Sequence, residues 1–156
     1  MASSDDHVHL SFPKPRERAL TETTENYLKR ILWLTENKEY AKISEIAELM
    51  GRSLSSTTEA MRRLEEQGFV KYMKQGKIQL TEKGISIATR VNDAYQVIAD
   101  LLVLLGIDEE TASEDACSME HAISKNTIAT ISRFVDFINS DPVNRAIMEK
   151  FRSLTT

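Results

Sequence analysis

Cys117, Glu120 and His121 stand at positions i, i+3 and i+4 late in the 156-residue sequence. Side chains at these spacings share one face of an α-helix, and we predict such a helix from about residue 108 to residue 123. A thiolate, a carboxylate and an imidazole can supply half of an octahedral metal site or most of a tetrahedral one. The pattern is therefore a candidate site for a divalent metal, with sulfur favouring iron(II), cobalt(II), nickel(II) or zinc(II). The alternative is a buried cysteine beside a surface Glu–His pair.

A Cys–His pair could also serve as a nucleophile and its base, as in cysteine hydrolases. That chemistry needs a third residue that orients the base and donors that stabilise an oxyanion. Neither is evident around Cys117 and His121. We therefore expect no enzymatic activity.

A second chemical pattern is a row of hydroxyl side chains after the turn Gly51-Arg52-Ser53. Short helices are predicted on both sides of this turn, and a hairpin turning at Gln75-Gly76 follows, as in a winged helix-turn-helix. The second helix would enter the DNA major groove at its N-terminus, with Thr58 and Glu59 closest to the bases. The other predicted DNA contacts are Ser53, Ser55, Ser56, Arg52, Arg62, Arg63, Lys71, Lys74 and Lys77, the cations lying on phosphates.

These residues also have a simpler interpretation. Serine and threonine can merely cap the helix, and Arg62 or Arg63 can pair with Glu59 or Glu66 on its own helix. A winged helix can also bind protein instead of DNA.

Hydrophobic periodicity and capping residues place the elements around these patterns. The predicted fold is mainly α: an N-terminal winged helix-turn-helix followed by an all-helical dimerisation domain. Its domains are a flexible N-terminal tail at 1–19, a DNA-binding domain at 20–84, and a metal-binding and dimerisation domain at 85–156. The predicted helices span about 21–37, 45–50 after a Ser44 cap, 53–68, 81–105, 108–123, 124–138 and 141–154.

Apolar side chains define the inner faces of these helices. Leu54, Thr57, Met61 and Leu64 are predicted to face inward on the third helix. The apolar stripe of the 81–105 helix, which includes Ile85, is wider than one domain core needs, so part of it should pack on a second subunit. Phe134, Val135 and Ile138 are among the side chains predicted to point inward from the 124–138 helix.

Composition limits the class of protein. The net charge is −4, yet cations gather between residues 52 and 77 and acidic side chains between residues 84 and 124. This split suits a DNA-binding module joined to a cation-binding one. The single cysteine excludes an internal disulfide, and the polar start and short apolar runs favour a cytoplasmic protein.

Several stretches together resemble the diphtheria-toxin-repressor family of iron- and manganese-dependent regulators. They cover about residues 20–140 in the family's order. They are Thr23-Thr24-Glu25-Asn26-Tyr27-Leu28, Ile46 through Glu59 with the wing, Leu80-Thr81-Glu82-Lys83-Gly84, Leu105-Gly106-Ile107-Asp108 and Asp115-Ala116-Cys117-Ser118-Met119-Glu120-His121. The family's SH3-like third domain has no counterpart, so the chain resembles the two-domain form.

The resemblance implies a homodimer that binds a palindromic DNA operator when metal is loaded. Cys117, Glu120 and His121 match the iron-type form of the family's primary site, which favours Fe²⁺, with Mn²⁺ possible and Co²⁺, Ni²⁺ or Zn²⁺ as in vitro substitutes. Asn26 replaces a methionine or aspartate ligand and is a weaker donor, so Glu25 or Glu22 could act in its place.

Other departures concern a second metal. Lys29 stands where manganese regulators have a glutamate, and a cation there should repel a second ion. Tyr95, Ala99 and Ser113 replace the ligands of the ancillary site, which we expect to be absent.

These departures leave two further functions open. The first is a winged-helix DNA-binding dimer that has lost part of the metal site and no longer needs metal. The second is a metal-storage or trafficking module whose winged helix contacts only protein.

Overall fold

The computed structural model describes residues 20–154. The predicted flexible tail, with His7 and His9, lies outside the described residues. The helices are α1 Glu22–Leu34, α2 Ile43–Leu49, α3 Leu54–Glu66, α4 Glu82–Leu104, α5 Glu109–Met119, α6 Lys125–Ser140 and α7 Pro142–Arg152. The strands are β1 Ala41–Lys42, β2 Val70–Met73 and β3 Lys77–Leu80. The mainly α, winged helix-turn-helix fold class is confirmed.

A small antiparallel sheet in the order β1-β3-β2 forms the wing. Ala41 pairs with Ile78, and Val70 pairs with Leu80. The β2–β3 turn falls at Gln75 and Gly76, as predicted, and both residues have positive φ angles of 62° and 68°. Strand β1 was not predicted, because two residues are too short to show an alternating pattern.

Polar caps start most of the helices. Ser53, Thr81 and Asp141 each accept a hydrogen bond from a backbone N–H in the first turn of the helix that follows. The predicted Ser44 cap of α2 is wrong, since the helix already begins at Ile43 after Lys42. The carboxylate of Glu45 instead accepts the Lys42 backbone N–H at 2.8 Å, which satisfies that donor without a serine.

Two predictions about inward-facing side chains are corrected by the tertiary packing. Thr57, Met61 and Leu64 of α3 are buried, but Leu54 is 56% exposed because it occupies the first position of the helix, beyond the core. On α6, Val135 and Ile138 are buried, whereas Phe134 is exposed. Ile85 of α4 is exposed and so belongs to the part of the α4 stripe that can face a second subunit, whose packing there stays a prediction.

Helix α4 connects the winged helix to the C-terminal helices, packing on α1 at one side and on α5 and α6 at the other. Its first turn lies directly on the wing, because Gly84 has no side chain. A Cβ at that position would stand 2.1 Å from the carbonyl oxygen of Phe69. The close contact orients the C-terminal helices relative to the DNA-binding part.

The predicted 108–123 helix is shorter than expected. Helix α5 ends at Met119, and Glu120 and His121 lie in the turn that leads to the Ser124 cap of α6. The Ser124 side chain accepts the Thr127 N–H and starts a new helix, which prevents α5 from continuing. His121 therefore does not share a helical face with Cys117.

Candidate metal centre and nucleic-acid interface

Helix α1 presents three polar side chains toward the α5–α6 turn. Thr21 caps this helix, and the apolar stripe through Leu28 and Ile31 fixes its rotation in the core. Glu25, Asn26 and Lys29 stand at i, i+1 and i+4, so they lie on adjacent parts of the helix surface. All three contact Glu120 or His121.

His121 is held between two residues of α1. Its Nδ1 lies 2.8 Å from Oε2 of Glu25, and its Nε2 lies 3.3 Å from Oδ1 of Asn26. Glu25 also accepts a 2.6 Å hydrogen bond from Arg90 of α4 through its other oxygen. The imidazole, whose side chain is 2% exposed, thus joins α1 to the turn after α5.

Glu120 and Lys29 form a buried ion pair. The Lys29 Nζ donates to Oε1 of Glu120 at 2.5 Å, with the two side chains 9% and 0% exposed. The same ammonium lies 4.6 Å from the centre of the Tyr95 ring on α4. Burial raises the pKa of the Glu120 carboxyl, and the hydrogen bond and positive charge of Lys29 oppose that rise.

The predicted Cys117–Glu120–His121 triad is not assembled in this arrangement. Within residues 20–154, no three His, Cys, Asp or Glu side chains converge as a metal ion requires. Cys117 is half-buried on α5, whereas the other two side chains point to α1 from the turn. Its role as a sulfur ligand stays a prediction.

The donors around His121 nevertheless fit a divalent cation. If Nδ1 carries the proton and donates a hydrogen bond to Glu25, Nε2 keeps a free lone pair. A carboxylate commonly orients metal-binding histidines in this way. That lone pair faces the Asn26 oxygen and Oε1 of Glu120, both 3.3 Å away. The second oxygen of Glu120 is buried and has no hydrogen-bond partner among the described groups. A nitrogen, an amide oxygen and the Glu120 carboxylate are thus the donors that one ion could share, with Lys29 already bound to Oε1 of that carboxylate.

Tyr95 and Ser113 occupy two of the predicted ancillary positions. The Tyr95 hydroxyl and the Ser113 Oγ are 2.9 Å apart and link α4 to α5. Neither is a common ligand of divalent transition metals. Their contact instead holds the Tyr95 ring beside Lys29.

The predicted DNA contacts lie together on α3 and the wing. Ser53 caps α3 by accepting the Ser56 N–H, and its Oγ lies 3.2 Å from that of Ser55. Thr58 is half-buried and donates its hydroxyl to the Leu54 carbonyl, which leaves its oxygen lone pairs and methyl for an outside partner. The exposed members of the set are Arg52, Ser53, Ser55, Ser56, Glu59, Arg62, Arg63, Lys71 and Lys74.

Two of the cations predicted to contact phosphates have internal partners. Arg63 lies 3.6 Å from Glu59 one turn earlier, an exposed pair that salt and competing phosphates can separate. Lys77, which is half-buried, has its ammonium 4.1 Å from the centre of the Tyr40 ring. The alternative that Arg63 pairs on its own helix is therefore realised, whereas Arg62 forms no such pair among the described side chains.

A further contact fixes the wing relative to α3. Oε1 of Glu65 accepts the backbone N–H of Tyr72 on β2 at 2.8 Å. The helix and the wing are thereby presented on one surface, as a groove-binding module needs.

The side chains around His121 form one polar cluster with Lys29 and Arg90. Sequence patterns did not indicate that these two cations belong to it. They marked Lys29 only as a charge that repels a second metal, and Arg90 not as a site residue at all. The spacing of Lys29 four residues after Glu25 was a usable signal. Nothing local points to Arg90, which meets Glu25 across 65 residues of sequence.

The class of protein follows from this fold and these two sites. An exposed helix-turn-helix with a basic wing, joined through a polar cluster to a helical domain, defines a DNA-binding regulator of the winged-helix class. Residues 19–78 match the family "Iron dependent repressor, N-terminal DNA binding domain". Residues 81–149 match "Iron dependent repressor, metal binding and dimerisation domain". The chain belongs to the diphtheria-toxin-repressor family of metal-dependent transcriptional regulators.

Relatives and solved structures agree with this assignment. The chain is 38% identical over 119 residues to an uncharacterized HTH-type transcriptional regulator of Methanocaldococcus jannaschii, covering 75% of this chain and 95% of the relative. It is 30% identical over 135 residues to the HTH-type transcriptional regulator MntR of Bacillus subtilis, covering 86% and 95%.

Two solved structures show the same fold. One is a manganese-dependent transcriptional repressor in complex with manganese, at 29% identity and a TM-score of 0.66. The match covers 73% of this chain but 53% of that protein, so the chain spans about half its length. The other is a hypothetical protein of Sulfolobus solfataricus, at 31% identity and a TM-score of 0.59, covering 74% of this chain and 89% of that protein.

No helix within residues 20–154 has the length and apolar character needed to cross a bilayer.

Proposed function

We propose that this chain is a repressor that binds a palindromic operator as a homodimer and responds to a divalent metal ion. The observation that carries the proposal is the position of His121. Its side chain lies between Glu25 and Asn26 of α1, so one cluster connects the DNA-binding helices to the C-terminal helices. A ligand bound there would bias the angle between the two parts.

The proposed ligands are Glu120, His121 and Asn26, with Glu25 as the alternative to Asn26 if it released His121 and Arg90, and with Cys117 as a sulfur ligand that would have to turn toward them. When bound, the ion supplies a positive charge that draws these donors together. Glu25 and Asn26 belong to α1, whereas Glu120 and His121 precede α6, so the same donors tie two regions of the chain. Iron(II) is favoured if Cys117 takes part, and manganese(II) if only the oxygen and nitrogen donors do.

The DNA interface would use α3 in the major groove, with Thr58 and Glu59 nearest the bases. Arg52, Arg62, Lys71, Lys74 and Lys77 would contact phosphates, which hold the register without reading sequence. In a dimer, the two α3 helices should lie about 34 Å apart, one turn of DNA. Because the target is DNA, a cytoplasmic location remains part of this proposal.

An apolar surface on the C-terminal helices supports the homodimer. Phe137 of α6 and Ile147 of α7 are 60% and 59% exposed, and Phe134, Val143 and Phe151 are exposed beside them in the sequence. So large an apolar exposure is typical of a surface that another molecule covers. Sedimentation of the wild type and of Phe137→Glu would test this: the wild type should be a dimer and the variant largely a monomer.

The metal response is tested by measuring operator affinity in iron(II), manganese(II), zinc(II) and chelator. A coupling of about 1–3 kcal/mol would change the affinity about 5- to 150-fold. An affinity that is the same in all four conditions would reject the metal response and favour the second candidate.

The second candidate is a DNA-binding dimer that works without metal. The Lys29–Glu120 ion pair favours it, because an internal cation already joins α1 to the turn before α6. Elemental analysis of the purified protein separates the two candidates, since only a metal-responsive protein should retain or take up about one ion per chain.

A further inference from the structure

Lys29 neutralises the Glu120 carboxylate where α1 and α4 meet the turn between α5 and α6, a region called the junction below. Its ammonium donates to Glu120 from α1, and it also lies over the Tyr95 ring of α4. One side chain therefore contacts the elements on both sides of the junction. Both members of the ion pair are almost fully buried, so water screens their attraction only weakly.

Each carboxylate of the cluster has its own cation. Glu120 has Lys29 at 2.5 Å, and Glu25 has Arg90 at 2.6 Å. His121 stands between the two carboxylates, 2.8 Å from Glu25 and 3.3 Å from Glu120. Without a metal ion, the carboxylates are not left to repel each other, and the cluster can stay closed.

The same arrangement sets a competition for Glu120. A divalent ion beside His121 would lie close to the Lys29 ammonium, and two cations near one carboxylate repel each other strongly where water is excluded. Oε1 of Glu120 is taken by Lys29, whereas Oε2 has no partner among the described groups. The lysine therefore limits what Glu120 can offer to a metal.

We propose that the Lys29 ammonium is a built-in cation that clamps α1 to the α5–α6 turn and competes with divalent metal for Glu120. The proposal deepens the function proposed above and rests on it for the role of DNA. Two consequences follow. Metal-free protein should keep an ordered junction, and loss of the lysine charge should loosen this junction while it strengthens metal binding. A lysine that served only as packing would not produce the second effect.

The variants are Lys29→Met, which keeps the length but removes the charge, and Lys29→Arg, which keeps the charge. Lys125→Met, an exposed lysine at the start of α6, is the matched control. Amide hydrogen exchange of the metal-free protein, in the presence of a chelator, is measured for peptides spanning residues 22–34 and 119–124. The peptide spanning residues 54–66 is the internal reference. Manganese(II) binding is measured from the electron paramagnetic resonance signal of the free ion.

Lys29→Met should exchange faster than wild type at 22–34 and 119–124 but not at 54–66, and bind manganese(II) about tenfold more tightly. Lys29→Arg and Lys125→Met should behave like the wild type in exchange. If Lys29→Met does not fold, Glu120→Gln in chelator carries the exchange test, because it removes the other charge of the pair. Unchanged exchange, or weaker manganese binding by a folded Lys29→Met, would overturn the clamp.

A DNA-binding experiment distinguishes a failure of this inference from a failure of the proposed function. DNA duplexes that bind the protein are first selected from a random-sequence pool. The chelated wild type should bind its selected duplex about tenfold more tightly than chelated Lys29→Met does. A wild type that enriches no duplex, with or without metal, would overturn the proposed function alone. The exchange and manganese measurements need no DNA and would still decide on the clamp.

Discussion

Nδ1 of His121 lies 2.8 Å from Oε2 of Glu25, a residue 96 positions earlier in the chain. The contact joins the first helix of the winged domain to the turn between α5 and α6. Arg90 of α4 holds the other oxygen of the same carboxylate. Three segments that are far apart in sequence thus meet at Glu25.

Replacing His121 with alanine should abolish the metal response of operator binding. The ring is the only imidazole among the described residues and contacts both Glu25 and Asn26, so an ion would lose its nitrogen ligand and the turn would lose these two contacts with α1. The expected 5- to 150-fold effect of manganese(II) should fall to about onefold. Fluorescence anisotropy with a labelled operator measures this change, and circular dichroism checks that the fold persists. Retention of the full metal response would contradict the assigned site.

Arg62→Ala should weaken binding to all duplexes by a similar factor. The side chain is exposed on α3 and forms no ion pair with another described residue, so it can reach a phosphate. A phosphate contact holds the protein on DNA but does not read the base sequence. The slope of log affinity against log salt should fall by about one unit. The control is Arg133→Ala, an exposed arginine on α6. Loss of affinity for a single sequence only would indicate base reading instead.

Gly84→Ala should destabilise the protein through backbone crowding. The added Cβ would stand 2.1 Å from the Phe69 carbonyl oxygen, so either the start of α4 or the wing must move. A loss of about 1–3 kcal/mol in the free energy of unfolding is expected from urea titrations. Ser86→Ala, at an exposed position of the same helix, should stay within about 0.5 kcal/mol of the wild type. Equal stability of the two variants would show that the contact relaxes without cost.

Glu45 should contribute a pH-dependent part of the stability. The hydrogen bonds from the Lys38 ammonium and the Lys42 backbone N–H lower the pKa of its carboxyl below 4.5. A lowered pKa in the folded state gives stability that is present above pH 4.5 and is lost as the pH falls through the folded-state value.

The stability difference between wild type and Glu45→Gln should therefore shrink between about pH 5 and pH 3. Urea unfolding across this range measures it. Glu48→Gln, which changes an exposed glutamate on the same helix, is the control and should show the smaller change. A difference that does not change with pH would mean that the Lys38 and Lys42 contacts do not hold in solution.

Local patterns in the sequence were sufficient for the winged helix and most helix starts. Ser53, Thr81 and Asp141 cap helices as predicted, because capping involves only neighbours in the chain. The wing turn at Gln75 and Gly76 depends equally on local backbone preference. The scattered motifs were enough to indicate the family, and the matches over residues 19–78 and 81–149 confirm it.

Sequence patterns, by contrast, identified only part of the candidate metal centre. Glu120 and His121 stood out by residue type, yet the end of α5 at Met119 turns them away from the helical face that Cys117 occupies. That end is set by competition between α5 and the capped start of α6, which a helical spacing rule cannot register.

What the sequence alone determined is therefore which residue types can bind DNA or metal and which helices carry them. Only the tertiary structure decided which of them meet. The Lys29–Glu120 pair spans 91 residues, and the packing of α1 and α4 against the α5–α6 turn brings the two charges together. Local preferences act over a few residues, whereas burial of a charge depends on every element that closes around it.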